Sequence, residues 1–239
     1  MCGRFTITTD KVEIILDKFK AELAPGFDGY KPRYNAAPGQ SVPVIVSKDG
    51  RRYLTNMFWG FVAPWGEKND GSTISQANIR DDTIERNKFF KERLLTNRCV
   101  FVADGFYEWK KPGGYEHLVR GEKLPKGVKK IPYRIIMKNK ELFALAGLWR
   151  SIDIDEKKIV TAGIITTNPN ELMKPIHDRM PVILNDDDLQ AWLNPEIRSF
   201  NGLSDQLRPY PDEEMEAYAV SLAVNNSRDD TQACIEPVI

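Results

Sequence analysis

Apolar positions along the chain recur first at helical spacing and then in blocks of strand length. Val12, Ile15, Leu16 and Phe19 are three or four residues apart behind Thr8, Thr9 and Asp10. The three polar residues suit a helix cap, so the pattern predicts a short amphipathic helix. Residues 42–47 and 52–60 are β-branched and aromatic and flank Lys48-Asp49-Gly50, whose glycine supplies the positive φ of a hairpin turn. Residues 82–95 open on capping residues and carry Ile84, Phe89, Phe90, Leu94 and Leu95, which predicts a second helix. Four further apolar runs, 99–109, 131–137, 141–149 and 159–167, predict strands, with Lys138-Asn139-Lys140 as a tight turn between the middle two. Residues 185–193 read as a capped helix and 217–224 as a last strand. The sum is an α+β chain built on a curved, mostly antiparallel sheet with short flanking helices. No repeat or composition break divides it, so 1–239 is expected to be one domain.

Composition narrows the class. With 239 residues, 41% hydrophobic and 28% charged, a packed core is affordable, and disordered or fibrous classes are excluded. Lys plus Arg and Asp plus Glu both number 34, so any contact with a polyanion must be local. Three cysteines at wide spacing and two histidines fit neither a disulfide framework nor a zinc site. The expectation is reduced thiols, no metal and no cofactor. No run approaches the roughly 18 apolar residues of a membrane span, and no basic-then-apolar leader opens the sequence. A soluble intracellular monomer is expected: cytoplasmic and nucleoid-associated in a bacterium, nuclear in a eukaryote. Residues 112–130 hold five Lys or Arg against two Glu, with two prolines and four glycines, and read as a long basic loop.

Candidate chemistry begins at Cys2. Aminopeptidases remove Met1 when the next side chain is small, which leaves an amine of pKa about 7.7–8.0 and a thiol of about 8.5 on one residue. The amine attacks an aldehyde to give a Schiff base, and the thiol closes on the same carbon as a thiazolidine. The alternative is a disordered end, but Gly3-Arg4-Phe5-Thr6-Ile7 reads as a strand that anchors the terminus.

Glu108, among Phe106, Tyr107 and Trp109, becomes a proton shuttle if burial raises its pKa; otherwise it is a strand-end residue paired with an arginine. His177 suits acid or base work near neutrality, or a structural role, and His117 reads as surface. Asn78 offers an amide to orient a substrate and Arg80 a guanidinium for phosphate, on what is otherwise an ordinary loop. The loops holding Asn35 and Pro38, and Trp59 to Trp65, carry groups that wedge or stack unpaired bases, unless they are core edges.

In this order, Met1-Cys2-Gly3-Arg4-Phe5, Tyr34-Asn35-Ala36-Ala37-Pro38, Trp59-Gly60, Asn78-Ile79-Arg80, Ala103-Asp104-Gly105-Phe106-Tyr107-Glu108-Trp109, Ala146-Gly147-Leu148-Trp149 and His177-Asp178-Arg179-Met180-Pro181 resemble the SOS response-associated peptidase (SRAP) family. The resemblance spans nearly the whole chain. It implies an SRAP-like fold that binds abasic sites in single-stranded DNA and crosslinks to them through Cys2, with crosslink reversal, lyase and autopeptidase activity as accompaniments. It implies Cys2 as nucleophile, Glu108 and His177 as proton carriers, Asn78 as a positioning group, and Arg80, Arg179 and Arg4 on phosphates. With Asn35, Pro38 and Trp65, these arginines make up the expected DNA contacts. Two features depart from the family pattern: Ile79 replaces a customary alanine, and the 112–130 loop is long. Two other classes stay open: an N-terminal-nucleophile amidohydrolase of glutaminase type, and a non-covalent single-stranded DNA sensor.

Overall fold

Strands built from the β-branched blocks dominate the computed structural model, which describes residues 2–67, 72–118, 122–154 and 157–238. In the larger sheet, Lys157–Thr167, Phe143–Ile154, Arg98–Ala103, Ser41–Lys48 and Arg51–Trp59 pair antiparallel in that order. A parallel pairing of Thr161 with Phe58 and Ala162 with Trp59 then joins the last strand to the first and closes a barrel. The smaller sheet runs Met215–Ala219, Ile131–Met137, Gly105–Lys110, Phe5–Ile7, Arg33–Ala36, antiparallel throughout. Phe5 from this second sheet meets Trp59 and Phe101 of the barrel, with ring centroids 5.0 to 6.2 Å apart, and one core joins the two.

The α+β reading with a curved, mostly antiparallel β-barrel holds, and several elements refine it. The helix Val12–Phe19 buries Ile15 and Phe19, but Lys11 stands at its N-cap without a side-chain cap bond. Thr8 is drawn instead to the Asp104 carboxylate, with its N–H at 2.6 Å and its hydroxyl at 2.5 Å. The helix expected over 82–95 is two, Asp81–Arg86 and Lys88–Thr96. Asn87 breaks it by taking an extended conformation and accepting the Phe89 N–H, a cap that asparagine favours over a helix interior. The run 99–109 is likewise two strands in different sheets, parted at Asp104. The 138–140 turn also crosses between sheets, because Ile131–Met137 and Phe143–Ile154 do not pair with each other. The final strand is Met215–Ala219; beyond it Ser221 accepts the Ala223 N–H and starts a 3₁₀ turn, Leu222–Asn225.

Two devices hold the start of the chain. Asp104 accepts from Thr6 (2.5 Å), from both donors of Thr8 and from Arg134 (3.0 Å), whose guanidinium is nearly enclosed. Gly105 makes room for it, since a Cβ there would lie 2.7 Å from Arg134 Nε. The second device is a strap near the other end of the sequence. Asp230 accepts the N–H groups of Tyr34 and Asn35 (2.6 and 2.7 Å) and pairs with Arg33. Arg4 donates to Val224 O (2.6 Å) and to Asn35 Oδ1 (3.1 Å).

Candidate active site

Antiparallel register determines what stands beside Cys2. Phe5 lies opposite Phe106 and the Tyr107 N–H donates to Arg4 O (3.0 Å), so the strand's start runs back along Glu108. Alternation does the rest: Phe106 faces the main core, Tyr107 and Trp109 face a smaller cluster with Val220, Val224 and Cys234, and Glu108 returns to the Phe106 side. Cys2 is buried in that same core. Asn78 Nδ2 donates to the Cys2 carbonyl (2.9 Å), which fixes the residue from the other side.

Glu108 is 2% exposed and is the only acid among the buried described residues. Burial, which disfavours the charged form, lifts its pKa to about 7. Burial also pushes the Cys2 thiol far above its usual range, and the Glu108 charge adds to the effect. His177 Nε2 lies 3.9 Å from Glu108 Oε2. Its Nδ1 accepts the Arg179 N–H (3.1 Å), so the neutral ring turns its own N–H toward Glu108. Exposed Asp178, 2.9 Å from Nδ1, favours the charged ring, but burial outweighs it and holds the His177 pKa down to about 4. At neutral pH the site therefore combines a protonated thiol, a carboxyl poised between its two forms and an uncharged imidazole donor. Asn78 Oδ1 is buried with no hydrogen-bond partner among the described residues and adds an acceptor.

Cys2, Asn78, Glu108 and His177 thus come together. Of the six residues expected on DNA, Pro38 is exposed, and Trp65 is 60% exposed with its ring edge-on to Phe89 and Phe90 (5.4 and 5.7 Å). Arg80, with a side chain 40% exposed, gives two of its three nitrogens to Asp82 (2.9 and 2.8 Å).

The other three are engaged inside the protein. Asn35 is fully buried: its amide donates to the carbonyls of Val224, Asn226 and Asp229 while its oxygen receives Arg4. This enclosure takes it away from a DNA surface and makes it a clamp on the strap. Arg179 is equally enclosed, pairs with Asp81 (2.6 Å) and donates to Thr166 O, a strut that braces the His177 turn rather than an open phosphate ligand. Arg4, half-buried over the Trp109 ring, is committed to the strap.

Sequence reasoning passed over Asp104, Arg134, Asp81 and Asp230, which support the site without touching the reacting groups. Asp104 lay within a quoted motif, and its place between two apolar runs was the available signal. Ile79 is accommodated by Gly163, where a Cβ would come 3.3 Å from Ile79 Cδ1 and 2.9 Å from Phe61 Cβ, so the larger side chain keeps the Asn78 strand in register beside Ile164.

Residues 1–227 match the family described as SOS response associated peptidase (SRAP), and the chain belongs to that family. It is 38% identical over 237 residues to abasic site processing protein YoqW of Bacillus subtilis, covering 99% of both chains. It is 31% identical over 272 residues to abasic site processing protein HMCES of Xenopus tropicalis, covering all of this chain and 79% of that protein. A solved protein from Bacteroides thetaiotaomicron shares the fold along the full length of both chains, with a TM-score of 0.79 at 22% identity. No helix among the described residues is long and apolar enough to cross a membrane.

Proposed function

We propose that this protein captures abasic sites in single-stranded DNA by forming a thiazolidine through Cys2 once Met1, which lies outside the described residues, has been removed. The observation that carries the reading is the pairing of a buried Cys2 with Glu108, the one buried acid among the described residues, in a site braced by Asn78 and faced by His177. The ring-opened sugar presents C1′ as an aldehyde. The Cys2 amine adds to it, Glu108 protonates the carbinolamine oxygen, and water leaves as the Schiff base forms. The thiol then adds to C1′ and gives its proton to the Glu108 carboxylate, which closes the ring. The net change is aldehyde plus aminothiol to thiazolidine plus water. A thiol held protonated by burial needs such a base, and a carboxyl near pKa 7 can both give and take a proton. The His177 N–H supports the open sugar's oxygen.

The decisive experiment incubates the protein with single-stranded DNA carrying one abasic site, followed by denaturing electrophoresis and mass measurement. The expected adduct has the mass of DNA plus protein, less Met1 and one water. A reversible sensor gives no shifted band, and a glutaminase releases ammonia from glutamine instead. Because β-elimination proceeds from the Schiff base, the yield of cut strand measures how slowly the ring closes.

Glu108→Gln is expected to slow crosslinking about 100-fold, within the range for loss of a general acid–base group. It should also abolish the inflection near pH 7 in the rate. The same substitution should stabilise the fold. The unfolded carboxyl loses its proton near 4.5 and the folded one near 7, so the native state binds more protons in this window and wild-type stability falls as pH rises through it. Urea titrations should show the variant more stable by about 3 kcal/mol at pH 8, with the advantage gone below pH 4.5. Equal pH dependence in both proteins would mean that Glu108 is not a buried acid.

Arg80 and Trp65 are the exposed groups suited to phosphate and to an unstacked base. Arg80→Ala should flatten the log-log salt dependence of single-strand affinity by about 0.7, the value for one lost phosphate contact, as read by fluorescence anisotropy.

A further inference from the structure

The long basic loop leaves a mark on the surface that the reaction at Cys2 does not use. Its described parts, 112–118 and 122–130, together with the 174–178 segment wall a cleft of about 970 Å³, lined among others by Trp109, Lys123, Leu124, Lys130, Lys174 and His177. Lys111 donates to Leu118 O and ties the first turn of the loop back against the strand that carries Glu108 and Trp109, which gives the wall its shape. The cleft is at the upper end of the range that encloses a small ligand, about 300–1,000 Å³. Five lysines outnumber three acids on its walls, and Leu118, Leu124, Pro175 and Ile176 give it an apolar lining. In a chain of zero net charge this is a local excess of the kind a polyanion requires.

Continuity with the reaction site identifies the occupant. His177 lines the cleft and also stands 3.9 Å from Glu108, and Trp109 is the next residue along the same strand. The charge of Lys130, another lining residue, acts on both Glu108 and His177. A polymer whose reacting sugar is held at Cys2, beside Glu108 and His177, must leave the site in two directions, and the cleft is an exit that begins at His177. Lysine ammoniums over an apolar lining suit unpaired nucleotides, with phosphates at the rim and base faces on Leu124 and the Trp109 ring. A duplex would keep its bases paired and leave the apolar lining unmet.

We infer that the cleft between residues 109–118 and 122–130 on one side and the 174–178 segment on the other is a binding track for the unpaired nucleotides on one side of the lesion. The inference rests on the abasic-site reading and extends it to a flank of the substrate.

The test uses single-stranded oligonucleotides with one abasic site, in which either the 5′ or the 3′ flank is lengthened from one to about six nucleotides, a span comparable to single-strand sites on other proteins. Crosslinking rates are compared for the wild type and for Lys123→Glu/Lys174→Glu, both positions being exposed. Each protein's rate on its shortest substrate serves as its own reference. The wild-type rate should rise at least fivefold as one flank grows and stay flat for the other; the double variant should lose most of that rise. Its salt slope on the long substrate should fall by about 1.4, for two lost phosphate contacts. An equal rise in both proteins, or no dependence on either flank, overturns the track. If the wild type forms no adduct with any substrate, the covalent reading has failed instead. The track is then decided by anisotropy with undamaged single strands: tighter wild-type binding supports it, and equal affinities overturn it.

Discussion

Cys2→Ala is expected to eliminate the heat-stable adduct entirely, because the substitution removes the sulfur that closes the ring while leaving an amine able to form a Schiff base. Cys2→Ser should behave almost as severely, giving a species seen only after borohydride reduction, since a hydroxyl closes the ring less favourably than a thiol. Neither change should unfold the protein. Cys2 contributes one small side chain to a large core, and its carbonyl bond to Asn78 is made by the backbone. Retention of heat-stable adduct by Cys2→Ala would exclude the thiazolidine, and loss of all DNA binding would show that the terminus shapes the binding surface.

The largest expected loss of stability belongs to a residue with no part in the chemistry. Asp104→Ala removes the acceptor for Thr6, Thr8 and Arg134 at once and leaves the nearly enclosed guanidinium without its charge partner. Breaking one side of a buried ion pair costs about 3–5 kcal/mol. Because the bonds lost anchor the strand Phe5–Ile7, crosslinking should fall in step with stability. Asp104→Asn, which keeps an acceptor, should lie between the two. Urea unfolding and adduct yield measured on the same preparations test this, and a stable Asp104→Ala protein with weak crosslinking would separate anchoring from folding.

Much of this was legible in the residues, and what was not has physical causes. Local signals worked where one element answers to its own pattern: the Val12–Phe19 helix, the Asp49-Gly50 hairpin turn with both residues at positive φ, and the Asn185 cap accepting the Asp188 N–H. They failed at 99–109, because an apolar run does not reveal which of two sheets each half joins, and a single aspartate marks the change. At the site, Cys2, Glu108 and His177 could be named from chemistry and family resemblance. Arginines are less readable: Arg80 and Arg179 look alike in sequence, yet one is 40% exposed and the other is closed in by Asp81 and Thr166. The setting of Asn35 is hard to read for a related reason, since its three carbonyl partners lie about 190 residues away.

That separation has a consequence for the order of events in synthesis. Arg4 is seated by Val224, 220 residues later, and the Tyr34-Asn35 turn by Asp230. The residue that leaves the ribosome first therefore receives its finished seat almost last. While the chain is being made, Arg4 and the Tyr34-Asn35 turn lack these partners until residues 224 and 230 have emerged. A nascent or truncated chain lacking residue 230 would carry the nucleophile without the strap that seats Arg4 and the Tyr34-Asn35 turn, and its aminothiol would meet aldehydes with no finished site to select among them.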